Sequence, residues 1–411
     1  MEKVLFISYI YPPIAGGGVF RTLKFTKYLP QFGWKPIVIS VNKSKFNPKD
    51  NTLLDEIPET VQTFRTNSIE SKIYAYAPQH LGVNPKWYQI IDNFVGWLPF
   101  AISKAEKVIK KEKPKIIFST SPPVTNHLIA YMLKKKTGIP WVADFRDPWT
   151  DNFMIRYPTK THHKIEQSIE HKFFRNADRI IFVTDKHRKY LIEKLPNILP
   201  EKCVNITNGY DPDDFKNNSV KKTNKFTITY IGTFYGKQSP KYFFSAIDSA
   251  SKKNDELKKD LEIRVAGKAS KEFQNLNIKF GLNESIKQLG YQPHKKAIEL
   301  MKSSSCLFLL ISLGPKSDWV YTGKIYEYMA SETPILATVP KNSPVREIIK
   351  ATNTGLAIDT DDINGIKDVI LTYYKQWKKG ELYSSPNWQE IEKYNIEKLT
   401  NKLSEQFYQL C

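Results

Sequence analysis

Two short stretches carry residues whose types and spacing suit the handling of a phosphorylated ligand. The first is 322–339, TGKIYEYMASETPILATV. Its Thr322-Gly323 turn opens a helix in which Ile325, Tyr328 and Met329 recur at helical spacing, and Ile335-Leu336-Ala337, beyond Thr333-Pro334, reads as a buried strand. Backbone N–H groups and the positive end of the helix dipole gather at such a turn, where a phosphate can sit. Lys324 adds a point charge on the first turn. Glu327, about one turn further on, is placed to accept hydrogen bonds from a ribose or sugar hydroxyl. The second stretch is Gly232-Thr233-Phe234-Tyr235-Gly236-Lys237, delivered by the apolar run Phe226–Ile231. A strand, a glycine turn and a lysine again suit a phosphate. The structural alternatives are an amphipathic helix with Lys324 and Glu327 solvated as an i, i+3 pair, and a plain strand-to-helix turn with a solvated lysine.

The elements that must position these residues follow a strand–helix alternation from the first residues onward. Val4–Ser8 is an apolar strand, Ala15-Gly16-Gly17-Gly18 a glycine loop, Val19 to Leu29 a helix and Lys35–Val41 a second strand, which together make a βαβ opening. Glycines in that loop allow close backbone approach to a ligand. The spacing is not G-x-G-x-x-G, and the second strand ends Ser40-Val41-Asn42 with no acidic residue, which argues against a dinucleotide site. Ile116–Ser119 delivers Thr120-Ser121-Pro122-Pro123, and Trp141–Phe145 delivers Arg146-Asp147-Pro148-Trp149 directly after Asp144-Phe145. Ligands of open α/β sheets collect at the carboxyl ends of strands, where both polar clusters fall. Further strands are expected at Val61–Thr66, Arg179–Thr184, Val204–Asn208, Leu261–Gly267, Ile286–Tyr291, Leu307–Ile311 and Gly355–Ile358. Helices are expected from His127 to Lys136, over Lys295–Lys302, near Ile363–Trp377, and over Trp388–Leu410.

With 411 residues and 41% hydrophobic content, the chain has ample material for two domains. No run approaches the roughly 20 apolar residues needed to span a bilayer, and MEKVLFISYIYPP reads as a first strand rather than a signal peptide. Cys203, Cys306 and Cys411 make no disulfide framework or metal spacing, and the histidines make no HExxH. The default expectation is a cytoplasmic, metal-independent protein. The net charge is +20, with 32 Lys and Arg against 18 Asp and Glu in residues 1–210 and 30 against 24 in the remainder. That basic first half favours anionic lipid, nucleic acid or phosphorylated substrates. Between Tyr74 and Phe100, the aromatics Tyr74, Tyr76, Trp87, Tyr88, Phe94, Trp97 and Phe100 precede or mix with Lys86, Lys104, Lys107, Lys110, Lys111, Lys113 and Lys115. Such a set suits a membrane interface and equally a helix that packs its aromatics on the sheet and solvates its lysines; Trp97 and Phe100 are assigned to the core, with the lysine face as a candidate lipid-headgroup contact.

The run GKIYEYMASETPILA resembles the donor-site helix of retaining GT-B glycosyltransferases, particularly the GT4-type family of bacterial polysaccharide, lipopolysaccharide and capsule enzymes. STSPP at 119–123, DFRDPW at 144–149 and Asn208-Gly209-Tyr210-Asp211 with Phe215 resemble the same family. Its two-glutamate pattern is broken, since Trp319 and the adjacent Asp318 stand near the earlier glutamate position, but a subgroup with a lysine three before the remaining glutamate fits Lys324. The resemblance implies an α/β GT-B fold of two doubly wound Rossmann-like domains with an interdomain cleft. They would comprise an acceptor domain at 1–215, a nucleotide-sugar domain at 216–385, and a C-terminal helix at 386–411 packing back on the first. It implies Lys237 and Lys324 as catalytic residues; the histidine that other members carry near position 146 is missing here, and Arg146 and Asp147 are placed with the catalytic residues instead, as an ion pair that shapes the acceptor pocket. Gly17, Gly18, Gly232, Thr233, Phe234, Tyr291, Thr322, Gly323 and Glu327 would bind the donor, and Ser121, Asp144 and Trp149 the acceptor. Partners would be a nucleotide-diphosphate sugar, a glycan or lipid-linked acceptor and an anionic membrane surface at the inner face of the cell membrane, with no nucleic acid, no metal and no cofactor. Two rival classes stay open: a nucleotide-sugar epimerase of the same fold, which needs no acceptor, and a non-catalytic basic protein binding lipid or nucleic acid.

Overall fold

The computed structural model describes residues 1–43, 48–69, 85–87, 89–152, 155–216, 220–234, 238–252, 254–314, 317 and 321–411. Of the residues singled out above, Tyr74, Tyr76, Tyr88, Tyr235, Gly236, Lys237, Asp318 and Trp319 lie outside them. The strands are β1 Glu2–Ile7, β2 Trp34–Val41, β3 Gln62–Thr66, β4 Ile116–Ser121, β5 Trp141–Phe145, β6 Arg179–Phe182 and β7 Cys203–Asn205. They continue as β8 Phe226–Ile231, β9 Leu261–Ala266, β10 Ile286–Gly290, β11 Cys306–Leu310, β12 Ile335–Val339 and β13 Gly355–Asp359. Helices connect most of them, and every ladder pairing among the described residues is parallel.

The chain divides into two compact units, residues 1–208 with 396–411, and residues 209–395. The first holds a seven-stranded sheet of order β3-β2-β1-β4-β5-β6-β7, and the second a six-stranded sheet of order β10-β9-β8-β11-β12-β13. Both are doubly wound. The order reverses between β1 and β4 in one and between β8 and β11 in the other, and such switch points leave a crevice at the strand ends. The physical reason for the parallel sheets is visible in the strands themselves. Val4-Leu5-Phe6-Ile7 and Leu307-Phe308-Leu309-Leu310 are continuous apolar runs, and all eight side chains are buried, as strands covered on both faces require.

In the first unit the C-terminal helix Ile396–Tyr408 turns Ile396, Leu399, Leu403 and Phe407 onto the sheet. Phe407 meets Trp34 edge-on at 5.2 Å, and the Tyr408 hydroxyl donates to the Phe32 carbonyl at 2.9 Å. Burying aromatics of this kind contributes about 1.5–3 kcal/mol each. The expected single helix over Trp388–Leu410 is instead interrupted. Its first turn, Trp388–Ile391, belongs to the second unit, and Asn395 is extended before the helix restarts at Ile396. Trp97 is fully buried, as the sequence reading expected, and its Nε1 donates to Thr66 Oγ1 at 2.6 Å. Phe100, assigned to the core as well, is only half-buried. It lies one residue off the stripe of Ala101, Ala105 and Val108 that the helix Leu98–Glu112 buries. No helix among the described residues is long and apolar enough to cross a membrane.

Candidate active site

In the first unit, the glycine loop, the end of β4 and the end of β5 are tied together by one side chain. Arg146 donates through Nε to the Ser121 carbonyl at 2.9 Å, through one terminal nitrogen to the Gly18 carbonyl at 2.6 Å, and through the other to the Pro122 carbonyl. The approach is close: a Cβ at position 18 would stand 3.1 and 3.2 Å from the two guanidinium nitrogens, so a larger residue there presses on the Arg146 side chain. Gly17 has open space around it and is exposed. The expected Arg146–Asp147 ion pair does not form among the described residues. Three backbone carbonyls engage the guanidinium instead. The guanidinium is thereby committed to the backbone of the glycine loop and the end of β4.

Asp147 remains accessible to water, yet protein atoms crowd it from behind. That desolvation pushes its carboxyl upward, with Arg146 opposing and Asp144 adding to the rise. Asp144, expected to touch an acceptor, is fully buried. Arg21 grips it from the helix Val19–Tyr28, with Nε 2.9 Å from Oδ2 and a terminal nitrogen 2.8 Å from Oδ1, while Thr120 Oγ1 donates at 2.7 Å. Arg21 also reaches the Ile206 and Thr207 carbonyls at 2.8 and 2.7 Å. The carboxylate is sealed inside an ion pair, which removes it from ligand contact. Trp149 is buried against Phe173 with ring centroids 5.9 Å apart. It and Ser121 line a cavity of about 280 Å³ together with Asp147.

Behind Trp149, Thr150 is fixed by Glu170 on the helix Lys160–Asn176: its N–H donates at 3.2 Å and its hydroxyl donates to the other carboxylate oxygen. Burial pushes the Glu170 carboxyl up to about 7, and the Thr150 bonds only partly counter it. A carboxyl raised on folding holds a proton that the unfolded chain releases, so its contribution is lost as pH rises from about 4.5 through 7. Glu170→Gln is therefore expected to be more stable than the wild type at pH 8 by on the order of 3 kcal/mol, read as a higher urea midpoint. The gap should close toward pH 4.5. Equal midpoints at pH 8 would show that the carboxyl ionises without cost.

In the second unit the corresponding point is the end of β8. Gly232 follows it with φ of +128°, a conformation that favours glycine. A Cβ here would stand 2.6 and 2.8 Å from the last carbon and the nitrogen of Lys324. Across the turn, a Cβ on Gly267 would lie 2.1 Å from the Gly232 carbonyl oxygen, so the two glycine turns touch. The helix Lys324–Ala330 is held to β8 by Tyr328, whose hydroxyl accepts from the Ile231 N–H at 2.9 Å. Lys324 thus lies over the turn, donating to the Tyr230 hydroxyl at 2.7 Å with its nitrogen 4.0 Å from the Tyr230 ring centroid. Desolvation pulls its amine down to about 7, with Glu327 opposing.

Glu327 lies on the same helix, with Oε1 3.8 Å from Nε2 of His294, which is itself 3.3 Å from Asp214 Oδ2. His294 starts the helix His294–Ser303, and it and Tyr230 are site neighbours that the sequence reading passed over. Thr233 is half-buried with Oγ1 3.4 Å from the Lys268 N–H, Tyr291 is 46% exposed beyond β10, and Thr322 and Gly323 lead into the helix. Phe234 does not face a ligand. It is buried, stacked on Tyr230 at 4.2 Å and against Phe273 at 5.0 Å, because an apolar ring at the root of the turn has the core beside it.

Two doubly wound parallel units define the GT-B class of glycosyltransferases. The model for "Glycosyltransferase Family 4" matches residues 15–214 and that for "Glycosyl transferases group 1" residues 211–387. The chain belongs to the GT4-type glycosyltransferases. Among solved structures it is similar in fold to sucrose-phosphate synthase from Thermosynechococcus elongatus, with a TM-score of 0.70 and 13% identity over 100% of this chain and 99% of that one. A glycosyltransferase from Rickettsia africae matches with a TM-score of 0.64 and 18% identity over 100% and 98%. TarM from S. aureus, determined as a variant with fondaparinux, alpha-GlcNAc-glycerol and UDP, matches with 0.67 and 12% over 99% and 100%. No curated protein sequence matches significantly.

Proposed function

We propose that the enzyme transfers a sugar, with retention and without a metal, from a nucleotide-diphosphate donor held by the second unit. The acceptor is a glycan or lipid-linked glycan of cell-surface polysaccharide synthesis, worked on in the cytoplasm at the inner face of the membrane. The observation that carries this reading is the Lys324 amine lying over the Gly232 turn at the end of β8, with Glu327 one turn away on the same helix. A diphosphate at that turn meets a cation and backbone, and a ribose meets a carboxylate. Retention with a diphosphate leaving group needs no protein nucleophile, since the leaving group accepts the acceptor proton. Catalysis then rests on stabilising the charge that develops on the diphosphate. Lys324 supplies that from the helix, and Lys237 is the second cation in this reading. The exposed Lys107, Lys110 and Lys111 on the helix Leu98–Glu112 suit an anionic surface.

The test is a thermal-shift screen of nucleotide sugars and nucleoside diphosphates, because a ligand that binds only the folded state raises the melting temperature. A shift selective for one nucleotide sugar identifies the donor, and no shift with any of them overturns the proposal. With the donor known, Glu327→Ala is expected to weaken nucleotide binding roughly 10- to 100-fold, the loss of one charge-assisted hydrogen-bond set. An unchanged dissociation constant by calorimetry would remove the ribose assignment.

A further inference from the structure

Two helices of the second unit share one apolar core. Ala297, Ile298 and Met301 enter it from the helix His294–Ser303, and Ile325, Tyr328 and Met329 from the helix Lys324–Ala330. His294 precedes Ala297 by three residues and Ile298 by four, the spacing of a single helix face. Packing that face therefore turns the imidazole inward, and its side chain is only 5% exposed. A buried imidazole nitrogen requires polar partners. Nε2 of His294 meets two carboxylates, with Oδ2 of Asp214 at 3.3 Å and Oε1 of Glu327 at 3.8 Å.

Asp214 approaches from a fixed point. It ends the short turn Pro212–Asp214, where the Asp211 carboxylate accepts from the Asp213 N–H at 3.0 Å and the Asp211 carbonyl accepts from the Asp214 N–H at 3.1 Å. Glu327 is the more open partner, with 22% of its side chain exposed, as contact with a ligand requires. A glutamate side chain has three rotatable bonds, and a ligand that must first freeze them loses affinity. Asp214 by itself would also repel the Glu327 carboxylate and disfavour its charged form. The imidazole reverses that effect. An Nε2–H donates to one carboxylate while attracting the other, and both carboxylates favour the proton on that nitrogen. Lys324, three residues before Glu327, attracts it as well, but its amine is bonded to the Tyr230 hydroxyl and lies over the Tyr230 ring.

We infer that His294 is a positioning residue which, anchored at Asp214, holds the Glu327 carboxylate where it accepts from ribose hydroxyls, and so sets the preference for a nucleotide that carries those hydroxyls over one that lacks them. The inference rests on the ribose role proposed for Glu327 and adds the group that orients it. The experiment is calorimetry on the full chain with UDP, ADP and GDP, each against its 2′,3′-dideoxy counterpart. The proteins are the wild type, Glu327→Ala, His294→Leu and His294→Gln. Each ratio of dissociation constants is taken within one protein sample, so a partly unfolded variant does not alter it. For the nucleotide that the wild type binds, the ribose form is expected to bind roughly 10-fold tighter than the dideoxy form, the worth of hydrogen bonds to a charged group. Glu327→Ala abolishes that preference. His294→Leu lowers it about threefold or more, by loosening those same bonds, and leaves dideoxy binding unchanged. His294→Gln, whose amide N–H stands in for the Nε2–H, restores it.

A histidine that only supported the fold would weaken both forms alike. Equal weakening of both forms in His294→Leu, a wild-type preference in that variant, or no recovery in His294→Gln would overturn the inference. If Glu327→Ala loses the preference while His294→Leu keeps it, the ribose assignment stands and only the role of His294 is wrong. If Glu327→Ala keeps the preference, the ribose assignment falls and the inference with it. If none of the nucleotides binds, the glycosyl-transfer reading itself falls.

Discussion

Lys324→Ala will lower sugar transfer by roughly two to three orders of magnitude, the usual loss when one preorganised donor to a developing oxyanion is removed, while the melting temperature changes little. The amine is half-buried over Tyr230 and its charged form is disfavoured there, down to about 7, so its removal costs the empty protein little. The same desolvation strengthens its action on a diphosphate, because nothing but the Tyr230 hydroxyl competes for its protons among the described residues. A pH signature follows. The free amine is protonated below about 7, and a bound diphosphate raises its pKa by opposing charge. Affinity for the nucleoside diphosphate is therefore full below pH 7 and declines as pH rises through the bound-state value. Calorimetry at pH 6.5 and 8.5 reads this as a weaker dissociation constant at the higher pH, with proton uptake on binding. Lys324→Ala should abolish the difference. Wild-type turnover in the variant, or an affinity flat in pH for the wild type, would remove Lys324 from the diphosphate.

Asp144→Ala is expected to destabilise the first unit by about 3–5 kcal/mol, because it leaves the Arg21 guanidinium buried without its counter-charge. For a unit of this size that is roughly a 10 °C fall in its melting temperature. Arg21 would keep its bonds to the Ile206 and Thr207 carbonyls, but neutral acceptors do not replace a bidentate carboxylate. The double variant Arg21→Met with Asp144→Leu should be markedly less damaged than Asp144→Ala, since the cost lies in the unpaired charge more than in the lost pair. Thermal unfolding of the two variants checks both statements. A melting temperature for Asp144→Ala within a degree or two of wild type would mean that the carboxylate is not committed to Arg21, and would return it to the list of acceptor contacts.

What was legible from the chain alone depended on local chemistry. Continuous apolar runs such as Val4–Ile7 and Leu307–Leu310 announce strands buried on both faces, and their alternation with helices announces parallel sheets, whose strand ends then locate Gly232, Lys324, Ser121 and Asp147. A glycine at 232 and a lysine at 324 were each readable as phosphate-suited, since a turn's φ and a helix's first turn are properties of a few neighbouring residues. Arg21 carried a readable signal that went unused: a charge flanked by Val19, Leu23 and Phe25 on the buried face of a helix must find a partner. Which partner it finds was not readable. Asp144 lies 123 residues away, and whether that carboxylate faces a ligand or an arginine depends on which helix the fold lays against β5. The same holds for Arg146, whose three carbonyls come from two other segments, and for Phe234, whose ring found Tyr230 and Phe273. Spacing along a chain determines period and turn. Side-chain partners are chosen by desolvation and geometry among groups that only folding brings within a few ångströms.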